Sequence, residues 1–244
     1  MTPLVVRPRP QADALAARLR AAGHAPLVHP LLELRPGDDL ASLSHHLQHA
    51  QIAIVVSRHA VLFARDFLLQ TGQTWPSIEY FAVGEASAEA LREAGLSGTF
   101  PVDPRSEGLL ALPGLQAVTG KRVVILRGNG GRELIADTLR ERGADVTCLS
   151  VYHRHYPHQD GELLCRQWQQ AGLDSLLVTS GELLEALLTA TPVEYREWLL
   201  RLPLFVPSPR IAEQAAQAGF LDITTARGAD HDALLAALEL RKKQ

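Results

Sequence analysis

Residues 4–36, LVVRPRPQADALAARLRAAGHAPLVHPLLELRP, return in related form as residues 123–157, VVILRGNGGRELIADTLRERGADVTCLSVYHRHYP. Arg7 aligns with Arg127, and Gly23 aligns with Gly143. Each copy has an aliphatic run, then apolar residues at helical spacing, then a second aliphatic run. A repeat of this length is longer than one unit of a solenoid, so it predicts two similar α/β lobes.

The internal sequence similarity continues along the chain. IAIVVSRHAVLFA, residues 52–64, corresponds to SLLVTSGELLEAL, residues 175–187, and this places Ser57 opposite Ser180. FAVGEASAEALREAGL, residues 81–96, corresponds to FVPSPRIAEQAAQAGF, residues 205–220. We therefore predict an internal duplication. Two lobes imply a cleft, which is the usual place for a ligand.

Composition excludes several classes of protein. The net charge of −3 argues against nucleic-acid binding, which depends on clustered Lys and Arg. The N-terminus lacks the apolar core of a signal peptide, and no run approaches the roughly 20 apolar residues of a membrane span. Cys148 and Cys165 match no zinc spacing and suit a reducing compartment. We expect a soluble, cytoplasmic protein.

Strands are predicted to alternate with helices, which is typical of parallel sheets covered on both faces. The predicted strands are 3–7, 25–34, 52–57, 78–83, 98–102, 122–126, 145–155, 174–179, 203–206 and 221–225. Ten strands divide into five per lobe. The lobes could be residues 1–120 and 121–244. Alternatively, the long runs 25–36 and 145–157 could cross between lobes as a paired linker, and the residues alone leave both arrangements open.

Ligands of open parallel sheets bind beyond the carboxyl ends of the strands, where loops lead into helices. The residues predicted there are small, hydroxylated or cationic, and helix N-termini attract anions. They suit a ligand with several negative groups, although each hydroxyl could simply cap a helix. The candidate binding residues are Arg7, Ser57, Arg58, Ser87, Arg127, Ser180, Ser208 and Arg210.

Motifs for other chemistries are incomplete. LRGNGG resembles half of a dinucleotide-binding loop, but it lacks the full glycine pattern and the acidic residue that should follow. His45 and His49 lie one helical turn apart, but a solvated helix face is the commoner explanation, and His153 and His155 alternate on a strand with no carboxylate or Cys nearby in sequence. We expect no metal. No nucleophile elbow occurs.

Tyr152 is the candidate for acid chemistry. It lies in VYHR, near the end of a long predicted strand. A phenol has a reference pKa of about 10, so it stays protonated at neutral pH and can donate a proton to a leaving oxygen. A half-buried tyrosine that merely fills a groove is the alternative.

Eight segments in order carry a resemblance to the uroporphyrinogen-III synthase family. They are RPRPQADALAARLRAAGH, VVSRHAV, AVGEASAEAL, PVDPRSEGLL, LRGNGGRELIADTL, SVYHR, LLVTSGE and VPSPRIAEQAAQAGF. The resemblance implies two flavodoxin-like α/β lobes joined by a two-stranded linker, formed by 30–36 and 150–156. The first lobe is then 1–35 plus 156–244, and the second is 38–150.

The resemblance also implies an activity. The family cyclises the linear tetrapyrrole hydroxymethylbilane to uroporphyrinogen III, inverts the last pyrrole ring through a spiro intermediate, and releases water. It implies no cofactor and no metal, and we expect a monomer. Tyr152 matches the tyrosine proposed to assist loss of the hydroxyl group, and Arg7, Ser57, Ser87 and Ser180 match family positions. Val6, Val56 and Ile211 stand where relatives can carry Thr.

Two other functions stay open at the level of the sequence. The first is a two-lobed cytoplasmic binding protein for a polycarboxylate anion, which the duplication and the cleft would also suit. The second is a two-lobed transferase with a nucleotide-linked donor, supported only by the incomplete glycine loop.

Overall fold

The computed structural model describes residues 1–131 and 133–242, without the side chain of Lys242. The chain forms two compact units. The terminal unit contains Met1–Leu34 and the chain from His155 onward, and the central unit is Arg35–Arg154. The chain passes from one unit to the other twice, so the terminal unit is discontinuous in sequence.

The described chain contains eleven strands and eleven α-helices, which alternate except where two strands or two helices follow each other directly. The strands are β1 Pro3–Val5, β2 Leu27–Val28, β3 Glu33–Pro36, β4 Ile52–Val55, β5 Glu79–Ala82, β6 Gly98–Thr99, β7 Arg122–Gly128, β8 Asp145–His155, β9 Ser175–Leu177, β10 Leu204–Val206 and β11 Ile223–Thr225. The helices are α1 Gln11–Ala21, α2 Leu43–His49, α3 Arg58–Gln70, α4 Glu85–Glu93, α5 Ser106–Leu110, α6 Leu134–Glu141, α7 Gly161–Gln170, α8 Gly181–Ala190, α9 Val193–Leu200, α10 Pro209–Gln217 and α11 His231–Lys242.

The terminal unit has the flavodoxin-like strand order. Its sheet runs β2-β1-β9-β10-β11, and the pairs are parallel. Renumbered within the unit, this order is 2-1-3-4-5, the doubly wound arrangement whose ligands bind at the carboxyl ends of the strands. The prediction of a flavodoxin-like sheet is therefore confirmed for this unit.

Alternation along the strands separates the core of the terminal unit into two layers. Leu4, Leu176 and Leu204 face α7, α8 and α10 in one apolar cluster. Their neighbours Val5, Leu177 and Phe205 face α1 and α11 in another. Each side chain is almost fully buried, and burial of one such side chain contributes about 1.5–3 kcal/mol. Apolar residues at consecutive positions of β1, β9 and β10 thus fix helices to both faces of the sheet.

The central unit contains the same strand order in permuted form. Its sheet runs β3-β8-β7-β4-β5-β6. If β7 is counted as the first strand, β8-β7-β4-β5-β6 is again 2-1-3-4-5, with β3 added at the edge. Each unit therefore combines the first two strands of one sequence repeat with the last three strands of the other. The duplication itself stays a prediction.

One strand prediction is wrong. The run 25–34 was expected to be a single strand, but it supplies β2 to one sheet and β3 to the other. Pro30 lies between them, and a proline has no N–H for a strand ladder. The break explains why the described residues form eleven strands in sheets of five and six, where five strands in each lobe were expected.

No helix among residues 1–131 and 133–242 is long and apolar enough to cross a membrane. Cys148 and Cys165 are free thiols. Burial raises the pKa of the Cys165 thiol to about 11, so the thiol stays protonated at neutral pH.

Candidate functional site

The candidate residues follow neighbouring strands in each sheet. In the terminal unit, Arg7, Ser180 and Ser208 follow β1, β9 and β10, which lie side by side. In the central unit, Arg127 lies in β7, and Ser57 and Ser87 follow β4 and β5, which are also neighbours. Because the paired strands are parallel, these residues lie at the carboxyl edges of their sheets, where α/β proteins bind ligands.

Ser57 and Ser180 cap helices in the same way. Each is the N-cap residue, of α3 and of α8 respectively, with extended backbone. The Ser57 Oγ accepts a hydrogen bond from the Ala60 N–H at 3.1 Å, and the Ser180 Oγ accepts one from the Leu183 N–H at 3.2 Å. These hydroxyls therefore do cap helices, which is the structural role that the sequence left open. Each cap uses one N–H group, so other N–H groups of the first turn stay available to a ligand.

We expect Ser57→Ala and Ser180→Ala each to lower the free energy of unfolding by about 1 kcal/mol through loss of the cap, and Ser57→Ala to lose more, because its hydroxyl also donates to the Tyr152 oxygen at 3.2 Å. The reason is that each removes one side-chain acceptor from an equivalent cap. Urea denaturation of both variants beside the parent protein measures this. A loss confined to one variant would contradict the equivalence of the two caps. Gln70→Ala at the exposed end of α3 serves as the control, because it removes no cap.

Arg58 and Arg127 are paired with carboxylates of their own unit. Arg58 Nη2 lies 2.9 Å from Glu93 Oε2, and Arg127 Nη1 lies 2.7 Å from Glu133 Oε1. The hydrogen bond to Glu133 raises the pKa of Arg127 above its usual value. To bind a substrate carboxylate, each of these two arginines must either release its glutamate or contact the glutamate and the substrate carboxylate together.

Arg7 has a different environment. Its Nη1 donates to the Ala229 carbonyl oxygen at 3.2 Å and its Nη2 donates to Gln11 Oε1 at 3.0 Å, so both acceptors are neutral. Burial lowers the pKa of the Arg7 guanidinium, and its buried Nε has no hydrogen-bond partner among the described residues. Arg7 forms no ion pair within residues 1–131 and 133–242. A positive charge is thus held at the carboxyl edge without a carboxylate to neutralise it.

The remaining candidates differ in accessibility. Ser87 is buried in the first turn of α4. Ser208 is the N-cap residue of α10, but its side chain accepts no capping hydrogen bond, and Arg210 is exposed in the first turn of the same helix. Ser208 and Arg210 can therefore contact a ligand, whereas Ser87 is placed to support the turn.

Tyr152 is buried within the central unit, with only 1% of its surface exposed. Its ring stacks on Phe63, with centroids 5.8 Å apart, and lies 5.9 Å from the His59 ring. Its oxygen accepts hydrogen bonds from Ser57 Oγ at 3.2 Å and from Arg154 Nη2 at 3.3 Å. Tyr152 is therefore more deeply buried than the half-buried tyrosine of the sequence-based alternative, and two candidate residues, Ser57 and Tyr152, are in contact.

A β-bulge directly precedes Tyr152 in β8 and sets the direction of its side chain. Arg127 pairs with Ser150, but Gly128 pairs with Tyr152, so β8 carries one extra residue, Val151. Bulges commonly redirect a side chain beside an active site. A Cβ on Gly128 would lie 2.6 Å from the Tyr152 Cζ, so only glycine leaves room for the ring.

Sequence reasoning placed Gly128 and Asn129 in a ligand-binding turn, but it missed their contacts with the segment of Tyr152, and it missed Arg154 altogether. The Asn129 side chain accepts a hydrogen bond from the Arg154 N–H at 2.6 Å. LRGNGG, which resembled a nucleotide loop, thus supports the strand end that carries Tyr152. A signal for Arg154 was present, because alternate residues of a strand share a face and Arg154 follows Tyr152 by two positions.

A cavity of about 170 Å³ opens at the carboxyl edge of the central unit. Its lining includes Val56, Val83, Ser106, Arg127 and Cys148. It is large enough for a short carboxylated side chain and too small for a whole tetrapyrrole. In the described part of the chain, no group of three or more His, Cys, Asp or Glu side chains is arranged to hold a metal ion.

The sequence profile of the family described as uroporphyrinogen-III synthase HemD matches residues 13–236. The chain is 44% identical to the uroporphyrinogen-III synthase of Salmonella typhimurium, over 98% of this chain and all of the relative. It is also 44% identical to that of Escherichia coli, with the same coverage. The chain belongs to the uroporphyrinogen-III synthase family. The predicted resemblance is confirmed, and uroporphyrinogen-III synthases are cyclising lyases of tetrapyrrole biosynthesis.

Solved structures agree with the fold. The uroporphyrinogen III synthase mutant from Thermus thermophilus superposes with a TM-score of 0.67 at 19% identity, over all of this chain and 98% of that one. The uroporphyrinogen-III synthetase from Helicobacter pylori gives a TM-score of 0.56 at 19% identity, over all of this chain and 99% of that one. At this identity the likeness shows the uroporphyrinogen-III synthase fold alone. The comparisons support neither the binding protein nor the nucleotide-dependent transferase.

Proposed function

We propose that this chain converts hydroxymethylbilane to uroporphyrinogen III, with inversion of the last pyrrole ring and release of water. The observation that carries the proposal is its 44% identity to two uroporphyrinogen-III synthases over their whole length. The polar turns at the carboxyl edges of both sheets support it, since the substrate is a polycarboxylate.

The activity test is a product analysis. Purified protein is mixed with freshly prepared hydroxymethylbilane, and the porphyrin isomers are separated after oxidation. We expect the inverted isomer to dominate, whereas heat-denatured protein gives only the uninverted product of spontaneous closure. Identical mixtures with native and denatured protein would overturn the proposed activity.

The first chemical step is loss of the hydroxyl group. A proton passes from the Tyr152 phenol to the substrate hydroxyl oxygen, the carbon–oxygen bond breaks, and water leaves an azafulvene-like cation. Because the phenol is 1% exposed, a neighbouring side chain must move before the substrate oxygen reaches it. His59 and Phe63 flank the ring, and their displacement would open the phenol to the substrate.

The remaining steps depend on placement of the last ring. The cation closes spontaneously on the unsubstituted carbon, which gives the uninverted macrocycle. The protein instead holds the ring so that its substituted carbon attacks and forms a spiro intermediate, which opens and recloses in the inverted sense. Positioning of this kind can supply a large part of a barrier reduction, so the proposal needs no nucleophile, cofactor or metal.

The proposed binding residues divide between the units. In the terminal unit they are Arg7, Ser180, Ser208 and Arg210, and in the central unit they are Ser57, Arg58 and Arg127, with the buried Ser87 supporting the turn that opens α4. Free N–H groups of the helix N-termini complete the carboxylate sites. Arg7 is the foremost candidate, because its charge is partly buried and also lacks a carboxylate partner among the described residues.

We expect Arg7→Gln to raise KM for hydroxymethylbilane by about tenfold to a hundredfold and to change kcat much less. The reason is that a charged hydrogen bond contributes about 1.5–3 kcal/mol, and a binding interaction equal in ground and transition states affects KM alone. Steady-state kinetics measures the two constants. Arg9→Gln is the control, since the exposed Arg9 is paired with Asp13 at 2.7 Å. An unchanged KM for Arg7→Gln would remove Arg7 from the binding site.

We also propose lobes of residues 1–35 plus 156–244 and 38–150, with 30–36 and 150–156 as linker strands. The grouping of Met1–Leu34 with the chain from His155 onward supports these boundaries. The protein is proposed to act in the cytoplasm as a monomer, with no nucleic-acid or membrane partner. The net charge of −3 supports the absence of a nucleic-acid partner. Light scattering of the purified protein tests the monomer, and a dimer mass would contradict it.

A further inference from the structure

Arg154 contacts the proposed acid directly. Its Nη2 lies 3.3 Å from the Tyr152 oxygen, and its guanidinium carbon lies 5.8 Å from the centre of the Tyr152 ring. Ser57 Oγ donates to the same oxygen at 3.2 Å. Two donors, one of them cationic, thus converge on the atom that would lose a proton.

The backbone around Arg154 is fixed by Asn129. The Asn129 Oδ1 accepts from the Arg154 N–H at 2.6 Å, and the Asn129 Nδ2 donates to the Arg154 carbonyl oxygen at 3.3 Å. The Asn129 N–H donates to the Tyr152 carbonyl oxygen at 3.1 Å. These three bonds hold residues 152–154 in β8 beside the end of β7, so the guanidinium and the phenol keep one relative geometry.

We infer that Arg154 is a positioning residue for Tyr152, which holds the phenolic oxygen and stabilises the negative charge left there by proton donation. The inference rests on the acid role of Tyr152 in the proposed function. The O–H bond of Tyr152 breaks, an O–H bond forms on the substrate hydroxyl, and the carbon–oxygen bond breaks as water leaves. The proton released when the newly bonded pyrrole carbon regains aromaticity returns to the phenolate.

A double-mutant cycle tests the inference, with Arg154→Met, Tyr152→Phe and the double variant. We expect Arg154→Met to lower kcat about tenfold, which corresponds to the loss of a charged hydrogen bond, and to leave KM nearly unchanged. In the Tyr152→Phe background, the same substitution should change kcat less than about twofold, because the oxygen that Arg154 contacts is gone. Arg154→Lys should retain more of kcat than Arg154→Met, since lysine keeps the positive charge but lacks the planar guanidinium group with its several donors.

The other outcomes overturn the inference in distinguishable ways. An equal loss of kcat in both backgrounds would show that Arg154 acts independently of the phenol. A raised KM with unchanged kcat would make Arg154 a substrate ligand. If Tyr152→Phe alone keeps full kcat, the acid role fails together with the inference, while the inverted product of the parent protein still upholds the synthase activity. Arg92→Met, which removes an exposed arginine paired with Glu89, controls for general effects and should match the parent.

Discussion

Tyr152→Phe is expected to lower kcat for hydroxymethylbilane by about a hundredfold or more. General acid catalysis typically contributes about 10²–10⁴ in rate, and the substitution removes the proton while keeping the ring that stacks on Phe63. Because other groups position the last pyrrole ring, the product that the variant still makes should remain inverted once spontaneous closure is subtracted. Single-turnover kinetics with isomer analysis measures both quantities.

The fold should survive this substitution. The lost oxygen accepts hydrogen bonds from Ser57 and Arg154, so the free energy of unfolding should fall by about 1 kcal/mol. Tyr80→Phe is the matched control, because Tyr80 is also buried in the central unit and its hydroxyl donates to the Pro76 carbonyl oxygen at 2.8 Å. It should lose similar stability and keep kcat. Full kcat in Tyr152→Phe would leave the tyrosine a purely structural role.

Gly128→Ala is expected to reduce both stability and kcat. The new methyl group would lie 2.6 Å from the Tyr152 Cζ and 2.8 Å from its Cε2, closer than real Cβ atoms approach other heavy atoms. The ring cannot simply retreat, since it packs on Phe63. Overpacking of a buried site costs about 1–3 kcal/mol, and a displaced phenol loses its geometry toward the substrate. Urea denaturation and steady-state kinetics measure the two effects.

A second substitution tests whether the steric clash with the Tyr152 ring causes the loss of stability in Gly128→Ala. Gly128→Ala combined with Tyr152→Ala should be more stable than the sum of the two single losses predicts, because the methyl group then meets no ring. Gly72→Ala is the control: Gly72 has a φ of +67° and nothing near its Cβ position. It should cost about 1–2 kcal/mol of backbone strain and keep kcat. Strictly additive losses in the double variant would rule out the steric explanation.

Local signals predicted most of the strands and the parallel sheets. Short aliphatic runs and apolar residues at helical spacing can be recognised from neighbouring residues alone. On this basis the strand at 145–155 was predicted with the bounds that the structure shows. The prediction for 25–34 failed because aliphatic residues continue on both sides of Pro30, and residue type did not show that they belong to two different sheets.

The candidate site was predicted only in part. Turns after strands were recognisable, so Ser57, Ser180 and Arg7 were named from the sequence. Their partners were not recognisable, because Glu93, Glu133 and Ala229 are brought to Arg58, Arg127 and Arg7 by helix packing and by loops. Whether an arginine has a carboxylate partner decides its use, and that depends on which acceptors the fold brings beside it, such as the Ala229 carbonyl beside Arg7, 222 positions away.

The sequence by itself determined the family, the α/β class and the chemical character of the turns, because these depend on residue type and order along the chain. The tertiary structure alone decided which strands share a sheet and which cations keep an uncompensated charge. It also revealed the bulge at Val151, the space left by Gly128 and the convergence of Ser57 and Arg154 on Tyr152. Those contacts join residues from different strands and helices, and only the packed sheet brings them within hydrogen-bonding distance.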